Sequence, residues 1–137
     1  MSNGKKTILF LCTHNSCRSQ MAEGIVNSLS DCDYIASSAG IEKTLVHPLA
    51  IQVMDEIGID ISKQYSKLVT ELKDKEFDYV VTVCDHAKEA CPFFPGKNLI
   101  HKNFLDPGKL NEPREEQLHD FRRVRDEIKA WILEEIC

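Results

Sequence analysis

Long apolar runs are missing from this sequence of 137 residues; the longest unbroken one is Ile8 to Cys12. A membrane-crossing helix needs roughly 20 such residues, so no span is expected. Nor is there a basic-then-apolar leader at the N-terminus, which points to a soluble cytoplasmic protein. Basic residues are scattered rather than gathered into a stripe, and the formal net charge is −5. That field argues against nucleic acid as a partner and means that any anionic substrate needs a local positive site. Tight metal-binding spacings are absent as well. The four-residue gap between Cys12 and Cys17 spans a polar loop, and the six-residue gap between Cys84 and Cys91 is followed by Pro92, so neither suits structural zinc. His47, His86, His101 and His119 form no ligand spacing either. With no export signal, the six cysteines are expected to be reduced, and either catalytic or buried.

What is present is an alternation of short apolar runs and helical stripes, of a length that suits one domain over residues 1–137. Thr7 to Leu11 reads as a strand buried on both faces. Met21, Ala22, Ile25, Val26 and Leu29 then recur at helical spacing. Tyr34 to Ser38 is a second strand ending at Gly40, and a helix with Pro48 in its first turn carries Ala50, Val53, Met54 and Ile57 before Gly58 closes it. Leu68 to Leu72 reads as a short helix and Asp78 to Val83 as a β-branched strand. Residues 84–97 show no periodicity and read as a long loop. A fourth, weaker strand covers Asn98 to Phe104, and Leu105-Asp106-Pro107-Gly108 is a turn at its end. From about Pro113 to Ile136 one long helix places Leu118, Phe121, Val124, Ile128, Trp131, Ile132 and Ile136 inward and its charges outward. Alternating strands and helices predict a parallel sheet flanked by helices, with all strand C-termini at one ligand-binding edge.

The stretch that organises the rest is Cys12-Thr13-His14-Asn15-Ser16-Cys17-Arg18-Ser19, between the first strand and the first helix. A loop that opens into a helix start directs N–H groups and the positive end of the helix dipole at one point, an anion site. Arg18 adds a planar fork of donors suited to a tetrahedral oxyanion. A thiol at Cys12 sits where its nucleophilic, ionised form is favoured. Residues Thr13 to Ser19 are therefore read as the oxyanion cradle and Cys12 as the nucleophile.

This Cys-x5-Arg-Ser loop resembles that of the low-molecular-weight tyrosine phosphatase superfamily. The extension Asn15 to Gly24, together with Ser38-Ala39-Gly40, Gly58 to Ser62, the pair Cys84 and Cys91, and Asp106-Pro107, is similar to the thioredoxin-coupled arsenate reductases within it. The resemblance covers essentially the whole chain. It implies an α/β three-layer sandwich whose four-stranded parallel sheet has the order 2-1-3-4. It further implies a monomeric enzyme of arsenic detoxification with no cofactor beyond the external reductant thioredoxin.

Either arsenate or a phosphate ester would fit the loop, which does not choose between them. In both reactions a carboxylic acid that protonates the leaving oxygen speeds the step by roughly 10²- to 10⁴-fold, and Asp106 is the candidate. A phosphatase needs no further thiol, whereas reducing arsenate takes two electrons, which two thiols supply. The resemblance implies that Cys84 attacks Cys12 of the arseno adduct and that Cys91 then takes over Cys84 as its disulfide partner. The alternative is a phosphatase acting on phosphotyrosine or another phosphomonoester. Phosphotyrosine enzymes of the superfamily tend to carry an aromatic residue after Asp-Pro, where this chain has Gly108.

Several residues receive weaker readings. Ser19 can hydrogen-bond the Cys12 thiolate, and Asn15 is a loop-shaping residue that tolerates left-handed backbone. His14 is expected to point to solvent, Cys17 to be packed, and Cys32 and Cys137 to be bystanders. Some members of the superfamily bind potassium through residues matching Asn15, Glu23 and Ser38 plus an acidic residue. Here that last position is Lys67, whose ammonium can replace the ion, so no metal is expected.

Overall fold

The first apolar run becomes the strand that the rest of the sheet is built on. In the computed structural model, which describes residues 6–42, 44–72, 75–84, 96–107 and 113–137, β1 is Lys6–Cys12, and Ile8, Leu9, Phe10 and Leu11 are sealed from solvent. β2 (Tyr34–Gly40) pairs with it on one side and β3 (Phe77–Thr82) on the other, both parallel, and β4 (Gly96–His101) extends the sheet beyond β3. The strand order is β2-β1-β3-β4, the order that the resemblance implies. Burial of both its faces explains why β1 is continuously apolar rather than alternating.

Helix α1 (Arg18–Ser28) packs on β1 and β2, and buries more than one stripe, since Arg18 to Ala22 are all buried. Gly24 lets it approach the segment after α2; a Cβ there would stand 2.5 Å from Ile61 Cγ2. Helix α2 (Pro48–Asp55) begins with Pro in its first turn and is capped at Glu56, earlier than the stop at Gly58 expected from the sequence; Gly58 instead closes the turn that follows, with a φ of +79° that glycine adopts freely. Val69–Leu72 is a single 3₁₀ turn, shorter than the helix read from the sequence.

Helix α3 (Arg114–Glu135) contacts both α1 and α2 and contributes Phe121, Val124, Ile128 and Ile132 to the core. Not all of its charges face outward, as the sequence pattern suggested. Arg125 is buried and donates from Nη1 to the Val53 carbonyl at 2.8 Å and to Glu56 Oε1 at 2.8 Å, supplying a donor to one of the carbonyls that the end of α2 leaves unpaired. Among the described residues, no helix is long and apolar enough to cross a membrane.

The parallel order has one consequence for function. Cys12 ends β1, Cys84 follows β3, and Asp106 follows β4, so all three leave the sheet at its C-terminal edge.

Candidate functional site

Between Cys12 and the start of α1 the chain makes a tight loop over Gly40. A Cβ at Gly40 would meet Asn15 N at 2.7 Å and the Thr13 carbonyl oxygen at 2.9 Å, so the close approach requires glycine. The Thr13 carbonyl accepts from the N–H groups of Ile41 and Glu42, both at 2.9 Å, which fastens the loop to the end of β2. Asn15 takes a φ of +51°, a conformation its residue type tolerates. Its side chain is the centre of a buried network: Nδ2 donates to Ser19 Oγ at 2.8 Å, and Oδ1 accepts from Gln20 Nε2 at 2.9 Å and from the Lys67 N–H at 2.8 Å.

Because Ser19 Oγ accepts from Asn15, its own hydrogen is left for the Cys12 sulfur, 2.8 Å away. Cys12 is only 2% exposed and faces a cavity of about 210 Å³, lined by Cys12, His14, Ser16, Cys17, Arg18, Thr44, His47 and Asp106. That is below the volume of pockets that hold drug-sized ligands and suits a small anion. Helix α1 starts at the loop with no side-chain cap and no acidic residue in its first turn, so the positive end of its dipole is not neutralised there. Arg18 is itself buried; Nη1 donates to the Phe104 carbonyl at 3.1 Å, and Nη2 is 3.4 Å from Asp106 Oδ2.

The remaining sequence-derived candidates separate by position. The side chains of Thr13, Asn15 and Ser19 are not among those lining the cavity and act on the loop from outside it. Thr13 Oγ1 instead lies 3.4 Å from the buried Cys84 Sγ, which places Cys84 beside the loop. Cys91 and Gly108 lie outside the described residues. His14 lines the cavity and pairs with Glu42 at 3.2 Å, rather than simply pointing to solvent. Cys17 is packed, and burial pushes its thiol up to about 12, so it remains neutral. Cys32 and Cys137 are not two idle thiols. They are joined in a disulfide, with Cα atoms 5.0 Å apart, that ties the turn after α1 to the end of α3.

Residues 7–134 match the family described as low molecular weight phosphotyrosine protein phosphatase. The chain belongs to that family. An arsenate reductase of Halalkalibacterium halodurans is 49% identical over 129 residues, 93% of each chain. One of Staphylococcus xylosus is 45% identical over 128 residues, 93% of this chain and 94% of its own. Among solved structures, an arsenate reductase in its oxidized state superposes with a TM-score of 0.80 at 32% identity, over 94% of this chain and 95% of that one. A low molecular weight protein tyrosine phosphatase from T. tengcongensis gives 0.80 at 27% identity, over 95% and 97%. The chain, like family members this similar to it, is an enzyme.

Within this family member, a second polar cluster lies behind the loop. Ser38 Oγ donates to Glu23 Oε1 at 2.5 Å, and Lys67 Nζ is 3.8 Å from the same oxygen while donating to the Tyr65 carbonyl at 3.0 Å. Burial raises the Glu23 carboxyl above its ordinary value and lowers the Lys67 ammonium below its own, while each charge partly restores the other.

Sequence reasoning missed three contributors. Gln20 bonds to Asn15 and to the Tyr65 carbonyl, and Ser66 Oγ donates to the His14 carbonyl at 3.0 Å; neither residue carries a spacing that announces it. His47 was dismissed because it fits no metal-ligand spacing, yet it lines the cavity. Its signal was local: a polar residue directly before the Pro that opens a helix is a cap position.

Proposed function

We propose that this enzyme reduces arsenate to arsenite and is regenerated by thioredoxin. The observation that carries the reading is the meeting of Cys12, Arg18 and Asp106 around one small cavity, with Cys84 beside the same loop. Cys12 attacks arsenic as a thiolate, its sulfur held by the Ser19 hydroxyl, while the start of α1 and Arg18 hold the oxygens. Asp106 gives a proton to the departing oxygen, which leaves as water. Cys84 then attacks the Cys12 sulfur. The electron pair of the sulfur–arsenic bond passes to arsenic, arsenite departs, and a Cys12–Cys84 disulfide remains. Cys91 attacks Cys84, expels the Cys12 thiolate and leaves Cys84–Cys91, which thioredoxin reduces with two electrons and two protons.

The neutral Cys17 thiol supports Cys12 rather than Cys17 as nucleophile. Lys67 stands for the monovalent cation that some members of the family hold: its ammonium beside Glu23 would repel a second positive charge, and the residues do not fit a metal ion. In this reading the enzyme is a cytoplasmic monomer, and the thiols of Cys12 and Cys17 suit a reducing compartment. The Cys32–Cys137 disulfide is buried at Cys32 but exposed at Cys137, so thiols of that compartment can reach it from the Cys137 end.

The test is arsenite formation from arsenate with and without thioredoxin, run beside hydrolysis of an aryl phosphate. Wild-type protein should form arsenite catalytically only with thioredoxin, at equal rates in potassium and sodium of equal ionic strength. Cys12→Ser should form none. Fast aryl phosphate hydrolysis with no arsenite would instead establish the phosphatase alternative.

A further inference from the structure

We propose that His47 is a substrate-binding residue of the oxyanion pocket, donating from its Nε2–H to an oxygen of the bound tetrahedral anion. This rests on the pocket being an oxyanion site. Its backbone N–H donates to the Ser16 carbonyl at 3.0 Å, so the residue is bonded directly to the anion loop. Pro48 follows it in the first turn of α2, and His47 caps that helix: Nδ1 accepts from the Leu49 N–H at 3.1 Å. A ring nitrogen that accepts carries no hydrogen, so in the neutral imidazole the hydrogen is on Nε2. The ring is also packed against Phe121 of α3, with centroids 4.8 Å apart. Backbone, cap and ring contact thus hold both the orientation and the tautomer.

One polar atom of this fixed ring is left over. The Nε2–H finds no acceptor among the described residues, although the ring lines the cavity that Cys12, Arg18 and Asp106 share. Burial lowers the imidazole below its ordinary value, against the pull of the Asp106 charge, which keeps the ring neutral near pH 7. A preorganised neutral donor of this kind binds an oxyanion oxygen without first having to be turned. The known positive group of the pocket, Arg18, already spends Nη1 on the Phe104 carbonyl, so a separate donor from the α2 side complements it.

The probe is inorganic phosphate, a tetrahedral oxyanion that is not reduced. His47→Asn keeps a good capping side chain at the start of α2 but is too short to line the pocket. It should melt close to wild type, while phosphate affinity falls about tenfold or more, the usual scale for a hydrogen bond to a charged group. The loss in arsenate reduction should fall mainly on KM. In wild type, nitrogen-detected NMR should show the His47 Nε2 resonance shifting, and its hydrogen exchanging more slowly, as phosphate is added. Equal phosphate affinity in wild type and His47→Asn would overturn the inference, and so would a resonance that responds to Asp106→Asn but not to phosphate. Failure of the wild type itself to bind phosphate would overturn the oxyanion-site reading beneath it.

Discussion

At the scale of single residues, Cys12 and Arg18 announce themselves because their chemistry is set by spacing within one loop. Asp106 is harder to see from the sequence, since an Asp-Pro pair is ordinary turn chemistry. Its placement 3.4 Å from Arg18 depends on β4 delivering the turn to the same edge as β1. If it protonates the leaving oxygen, Asp106→Asn should slow arsenate reduction by roughly 10² to 10⁴. The drop should appear in single-turnover arsenite release and leave phosphate binding intact; an unaltered rate would remove Asp106 from the mechanism. Gln20, Ser66 and Arg125 were not legible for a common reason. Each is polar, each is satisfied by a carbonyl or amide distant in sequence, and no local pattern marks such a partner.

At the scale of elements, the legible parts are those with strong periodicity. β1 and β3 read as strands from the apolar runs Ile8 to Leu11 and Val80-Val81, which are buried in the sheet, and α2 reads from its Pro48 start, with Gly58 marking the turn beyond its end. The short turn at Val69–Leu72 was read as a helix because one apolar turn looks the same in either geometry. Parallel pairing of β1 with β3 also brings the ends of both strands together: Leu11 pairs with Thr82, and the next turns of chain carry Cys12 and Cys84. In the proposed relay, that adjacency gives Cys84 the first attack on Cys12 and leaves the second step to Cys91. Cys84→Ser should release no arsenite in a single turnover without external thiol, because the adduct on Cys12 has no internal thiol to break it. Cys91→Ser should release about one equivalent and stop as a Cys12–Cys84 disulfide, since those two thiols already supply both electrons. Quantifying arsenite per protein, with mass spectrometry of the disulfide formed, distinguishes them; identical behaviour of the two variants would sink the relay.

At the scale of the whole molecule, the sheet order followed from the resemblance, and the alternation of strands with helices already predicted a parallel sheet with its ligand edge at the strand ends. The Cys32–Cys137 bond was beyond sequence reasoning, because the partners are 105 residues apart and their proximity exists only once α3 has docked. Cross-links that close so long a loop stabilise mainly by restricting the unfolded chain. Cys137→Ser should therefore lower the unfolding free energy by about 2–4 kcal/mol. Urea titration with and without a thiol reductant checks this: reduced wild type should unfold with the variant, and indifference to the reductant would mean that the bond does not form in solution. The same bond makes residues 32–137 a closed ring that contains His47, Cys84 and Asp106, with the Cys12 loop on the tail outside it. A protease that cuts once anywhere in the ring opens a circle rather than dividing a string, so the clipped protein should run as one band on a denaturing gel until a thiol is added, and as two bands afterwards.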